Sequence, residues 1–247
     1  MAELEELDGC ELDFSESLTV EDDVEALLVP AGEEEDEEES EGDAAGPAMG
    51  DRGIAKRLRK AGLKVREVDG WKTRGRDFAG AAAAFNPKGS VNHHTGTPES
   101  VPGNAPTLGV LIKGRSDLNG PLANVYQTRN DTILVIAAGT TNHAGLPDGG
   151  EIRGMHGNSQ AYGLEIEHAG SSPLPDKRLR IAARVHAALL LGRDLPARQV
   201  VQHREWAPSR KFDLASNFGT LTSKETNAQA CNKFRAMVDE EFRKLKK

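Results

Sequence analysis

Cysteine is nearly missing from this 247-residue chain, which has only Cys10 and Cys231. Two thiols so far apart form neither a metal-ligand spacing nor a disulfide framework, so the fold must stand on its core. Aromatic residues make up only 4%, which leaves Ala, Leu, Ile and Val to do most of the packing. No run of about 18 apolar residues occurs, so no membrane insertion is expected. The N-terminus is acidic and has no apolar h-region, so no secretory signal peptide is expected.

Basic residues are missing from the first 50 positions, which carry 20 acidic side chains and no Lys or Arg. The remainder holds 19 acidic and 31 basic residues, a net of +12 hidden inside an overall −8. An acidic tail is thus joined to a basic body. A basic body favours an anionic partner, either nucleic acid or bacterial cell wall. No zinc finger, basic zipper or other nucleic-acid motif is present, so nucleic acid is not the expected partner.

The domain reading follows this charge boundary. Residues 1–48 are expected to be a disordered acidic tail, because the unbroken acidic run 33–39 repels itself. Within it, Val24, Leu27, Leu28 and Val29 could make one short amphipathic helical turn. Residues 49–247 are expected to form one folded domain. Asp51 can cap a helix that carries Ile54 and Leu58 on one face, with Gly62 as its stop. Leu63, Val65 and Val68 suggest an extended segment, and 91–94 a short strand. Segments 125–129 and 132–137 flank Asn130-Asp131 as a hairpin. Strands are expected at 163–168 and 199–202. Leu179, Ala182, Val185 and Leu189 mark a helix over 178–191, and the apolar spacing from Ala228 to Leu245 marks a C-terminal amphipathic helix. Strands and helices intermix, which predicts an α/β domain.

Of seven histidines, three sit in distinctive segments. His93 and His94 lie in Asn92-His93-His94-Thr95. His203 opens a segment that closes with Lys211-Phe212-Asp213. Neighbouring side chains on a strand point to opposite faces, so only one of His93 and His94 can ligate a given ion. A loop containing Pro208 could bring His203 and Asp213 together. Two imidazoles and one carboxylate leave zinc a fourth position for water, the open arrangement of a catalytic site.

These segments resemble the Amidase_2 family of zinc amidases, whose members include phage endolysins, muropeptide amidases and peptidoglycan recognition proteins. The resemblance runs from about Leu58 to Asp213. It is carried, in order, by Gly70-Trp71-Lys72-Thr73-Arg74-Gly75-Arg76, Asn92-His93-His94-Thr95 and Gly120-Pro121-Leu122-Ala123-Asn124-Val125. Asn142-His143-Ala144-Gly145, Gly163-Leu164-Glu165-Ile166-Glu167 and the segment from His203 to Asp213 follow. The order and spacing look like actinobacteriophage endolysins in particular.

The resemblance implies a central mixed β-sheet flanked by helices. It implies Zn2+ bound by His93, His203 and Asp213, with Glu165 as the acid/base carboxylate and Lys211 stabilising the oxyanion. Strand periodicity leaves Glu165 and Glu167 equivalent, and only the resemblance favours Glu165. His94, His143 and Asn158 are candidates for substrate contact. The catalytic tyrosine of some members falls near Ala123 here, and Tyr126 is not its equivalent. The stretch 71–76 reads either as a glycan contact or as a packing Trp among solvated charges. His156 reads as a loop residue, His168 as a turn residue and His186 as a structural residue within a helix.

The implied activity is hydrolysis of the amide between N-acetylmuramic acid and L-alanine in bacterial peptidoglycan. The endolysin likeness implies a monomer made in the host cytoplasm that reaches the wall with a holin. The alternatives are a recognition module that binds muropeptide without cutting it, and a cytoplasmic recycling amidase.

Overall fold

A computed structural model describes residues 24–29, 50–211, 213 and 227–247. The acidic run 33–39 and Cys10 lie outside the described residues. The body opens with α1 (Ile54–Lys60) and β1 (Val65–Glu67). It continues through β2 (Gly89–His94), α2 (Leu108–Lys113), the short pair β3 (Gly114–Arg115) and β4 (Leu118–Asn119), β5 (Val125–Gln127) and β6 (Ile133–Val135). After these come β7 (Ala161–Ile166), α3 (Asp176–Leu191), β8 (Val200–Gln202), the single turn α4 (His203–Trp206) and the terminal helix α5 (Asn227–Leu245).

Six strands form one sheet in the order β1-β6-β5-β7-β2-β8. Only the β5–β6 hairpin pairs antiparallel; every other neighbour in this sheet is parallel. This is the mixed α/β architecture expected. The hairpin forms where alternation and the Asn130-Asp131 turn placed it.

One sheet face packs against α1, α3 and α5. Leu179, Ala182, Val185 and Leu189 of α3 are buried there with Leu164, Ile166 and Val125 of the sheet and Phe234 and Val238 of α5. The helical spacing of these apolar residues is therefore their burial. The other face carries two smaller clusters. Tyr126, Leu134 and Ile136 pack on Leu108 and Leu111 of α2. Val91 and Val201 pack on Met155 and Trp206.

Two expectations are settled by burial. Trp71 is buried, its Nε1–H donates to Glu67, and Arg74 donates to the Ile136 carbonyl at 2.6 Å and to the Asp69 carbonyl. The Trp71 stretch is thus a packing element. Asp51, expected to cap α1, does not: the N-cap is Gly53, with no side-chain cap hydrogen bond, and Asp51 instead accepts the Gly53 N–H at 3.1 Å and binds Arg57 and the Tyr162 hydroxyl.

Residues 24–29 depart from the expected disordered tail. Leu28 makes an antiparallel bridge with Val68. The Val29 N–H donates to the Glu67 carbonyl at 2.9 Å, and the Asp69 N–H donates to the Leu27 carbonyl at 2.9 Å. The segment covers the outer edge of β1 and buries Leu28 in the second cluster, with Val24 and Leu27 packed against it. Its apolar residues find a core, which outweighs the self-repulsion of the flanking acids.

Candidate active site

β2 lies between β7 and β8, and all three run parallel. Parallel neighbours end at the same rim, so the residues leaving these strands emerge side by side. Asn92 is in register with Gln202, and their buried side-chain amides are joined by a 3.1 Å hydrogen bond. The next residue on each chain is a histidine, and both turn to the opposite face. His93 Nδ1 and His203 Nδ1 lie 2.8 Å apart.

The chain after α4 folds back through hydrogen bonds from the Arg210 and Lys211 N–H groups to the Ala207 carbonyl. The Arg204 N–H then donates to the Asp213 carbonyl at 2.7 Å. This return places Asp213 Oδ2 at 3.0 Å from His203 Nδ1 and 3.6 Å from His93 Nδ1. All three side chains are buried. Tetrahedral zinc with ligand bonds of about 2.0–2.1 Å would hold its donors about 3.3 Å apart. Spacings of 2.8, 3.0 and 3.6 Å bracket that value. The donor set fits a single divalent ion.

The electrostatics agree with three groups drawn into one dry point. Burial, and then the charge of His203, push the His93 imidazole down to about 3. Burial alone would raise the Asp213 carboxyl, but His203 and His93 together pull it well below the usual carboxylate range. The triad therefore presents neutral His93 and ionised Asp213, the forms that ligate metal.

Beside His93 on β7 stands Glu165, in register with it and with Tyr126 on β5. Adjacent strands lie about 4.8 Å apart, so this carboxylate borders the cluster. Burial, and then the Asp213 charge, raise it well above the ordinary Glu range, while Lys211 opposes the rise. Its buried Oε2 has no hydrogen-bond partner among the described residues.

Glu167 shares that face but is fully engaged. It accepts hydrogen bonds from Thr95 Oγ1 at 3.2 Å, from Thr107 Oγ1 at 2.7 Å and from the Tyr126 hydroxyl. Arg129 lies 3.8 Å from it. Period-two alternation could not separate the two glutamates; their hydrogen-bond partners do.

A profile of the Amidase_2 family, N-acetylmuramoyl-L-alanine amidase, matches residues 83–215. That stretch is more than half the chain and contains the whole cluster. The chain belongs to the N-acetylmuramoyl-L-alanine amidase family. No curated protein matches this amidase. Among solved structures it is similar to a selenomethionine derivative of AmpD, at 20% identity and a TM-score of 0.48, covering 70% of this chain and 94% of that one. PlyL is similar at 16% identity and a TM-score of 0.44, covering 71% and 96%. The Staphylococcus aureus hydrolase AmiA, solved with its ligand, is similar at 15% identity and a TM-score of 0.43, covering 76% and 89%.

The amidase gathers His93, His203, Asp213 and Glu165, with Lys211 near enough for its charge to act on His93 and Glu165. The three substrate candidates are placed differently. His94 turns to the opposite sheet face from His93, against Gly170 and 6.2 Å from the His168 ring. His143 is buried against His93, its Nδ1 3.0 Å from His93 Nε2. The Asn158 side chain accepts the Ala144 and Gly145 N–H groups, both at 2.9 Å, and so braces the loop that carries His143.

Sequence reasoning missed the clamp that holds the two rim loops together. Arg210 Nη2 donates to the Ala144 and Leu146 carbonyls at 3.2 and 2.6 Å, and Ser209 donates from its N–H and hydroxyl to Asp148. Trp206 Nε1–H reaches the Gly145 carbonyl at 3.2 Å. Arg210 lies in a motif already singled out, but nothing in the sequence points to its carbonyl partners some 65 residues earlier.

Proposed function

We propose that this amidase is a zinc enzyme that hydrolyses the amide between N-acetylmuramic acid and L-alanine in peptidoglycan, and that it serves as a phage endolysin. The observation that carries the metal reading is the convergence of His93 Nδ1, His203 Nδ1 and Asp213 Oδ2 within one ion's coordination sphere. Bound zinc would polarise the amide carbonyl and make water acidic enough to attack at neutral pH.

The remaining chemistry falls to this chain's own side chains. Glu165 takes a proton from the attacking water and passes it to the departing nitrogen. Its raised affinity for a proton suits the first half of that task. Lys211 supplies positive charge where the tetrahedral oxyanion develops, and does so in a water-poor setting. Residues 49–247 make up the catalytic domain under this reading.

The lysin role is supported by the +12 body, suited to an anionic wall, and by the order of the sequence motifs. A lysin made in the host cytoplasm needs a holin to reach its substrate. Purified protein incubated with defined peptidoglycan should release free stem peptides that begin with L-alanine, read by mass spectrometry. Clearing of intact walls supports the lysin, whereas turnover of soluble muropeptides alone supports a recycling enzyme. His93→Ala, His203→Ala and Asp213→Ala should each lose both zinc, measured by elemental analysis, and turnover. Full zinc content in all three would defeat the metal assignment.

A further inference from the structure

A second histidine stands behind His93. His143 Nδ1 lies 3.0 Å from His93 Nε2, and His143 Nε2 lies 3.1 Å from the Ala161 carbonyl oxygen. The two rings meet edge to face at 5.1 Å. A carbonyl can only accept, so His143 Nε2 carries the hydrogen. A neutral ring then offers its Nδ1 only as an acceptor. That acceptor demands a hydrogen on His93 Nε2, which leaves His93 Nδ1 with a free lone pair. His93 Nδ1 is the atom that faces His203 and Asp213.

The surroundings hold this arrangement. Gly163 sits on the same sheet face, and a Cβ there would fall 2.6 Å from His143 Cγ. The missing side chain is the space the imidazole fills. The backbone just after His143 is held by Asn158. His143 thus has a fixed backbone, a fixed ring and a fixed hydrogen.

We propose that His143 is a positioning residue: through the Ala161 carbonyl it locks His93 in the tautomer whose Nδ1 is free to bind the metal, and it fixes the plane of that ligand. The role rests on the metal reading given above. Partners of this kind behind a ligand are worth about 10–100-fold in metal affinity.

The test compares zinc affinity, by competition with a chelating dye, in the full-length wild type, His143→Asn and His143→Leu. It adds nitrogen-15 shifts of the His93 ring in the metal-free wild type. Asn keeps an acceptor facing His93 and should hold zinc within a few-fold of wild type. Leu keeps bulk without an acceptor and should lose about 10–100-fold. The His93 hydrogen should sit on Nε2. A His93 hydrogen found on Nδ1 overturns the proposal even if neither variant folds. A folded Leu variant with wild-type affinity overturns the relay alone. A wild type that takes up no zinc overturns the metal reading, and the relay with it.

Discussion

Glu165 and Glu167, two identical residues one strand period apart, are given different surroundings by the fold. Glu167 is encircled by hydroxyls from three separate segments, while Glu165 Oε2 has no hydrogen-bond partner among the described residues. Glu165→Gln should therefore keep zinc and lose at least about 10²-fold in turnover. Glu167→Gln should keep measurable chemistry but lose about 1–3 kcal/mol of stability, because it weakens a buried hydrogen-bond network. Steady-state rates and urea melts of both variants check this pair. A fully active Glu165→Gln beside a stable but dead Glu167→Gln would reverse the assignment. His93, His203 and Asp213 were legible as a group that could hold a metal, because metal chemistry restricts ligands to few side chains. The division between the glutamates was not, since Thr95, Thr107 and Tyr126 reach Glu167 only through the fold.

At the level of elements, the segments with strong periodicity or turn chemistry were legible. The β5–β6 hairpin, α3 and α5 formed where their patterns placed them. Helix α2 was missed, because Leu-Gly-Val-Leu-Ile-Lys is apolar on all sides and interrupted by glycine. Strand order was also hidden, because β1 pairs with β6 rather than with its sequence neighbour. Helix α3 carries His186, expected to be structural. It is fully buried, with Nδ1 2.8 Å from Ser90 Oγ and its ring edge-on to Phe234. Burial, and then the charge of His93, push its imidazole down to about 3. The unfolded chain titrates near 6.5. Between these values the unfolded state binds a proton that the folded state refuses. The contribution is intact above about pH 6.5 and is eroded as pH falls towards 3, by up to about 1.4 kcal/mol per pH unit. His186→Leu should flatten the pH dependence of urea stability between pH 6.5 and 4 by about one proton. An unchanged slope would clear His186 of the role.

For the molecule as a whole, the charge boundary near residue 50 does not coincide with the structural boundary. Residues 24–29 belong to the body by packing although they belong to the tail by composition. A chain beginning at residue 50 should lose about 2 kcal/mol, set by the buried Leu28 side chain. The Glu25–Arg66 contact at 3.4 Å is exposed and adds little to that figure. Urea denaturation of the two chains measures the loss, and equal midpoints would show that the docking is inconsequential. The shortened chain also uncovers the edge of β1, so it should associate more readily as concentration rises. Wall lysis by the two chains across a salt series tests whether the 20 acidic residues also restrain the +12 body. Screening beyond about 8 Å at physiological salt limits that effect to a modest one.

His93 and His203 are 110 residues apart and meet only because β2 and β8 lie side by side. No stretch of the chain shorter than that span can offer both nitrogens to an ion. Under the metal reading proposed above, an ion held there would therefore not seed the fold in the way it seeds a zinc finger; it would come last, as a keystone. Once bound, its grip would secure the alignment of strands that had to find one another without its help.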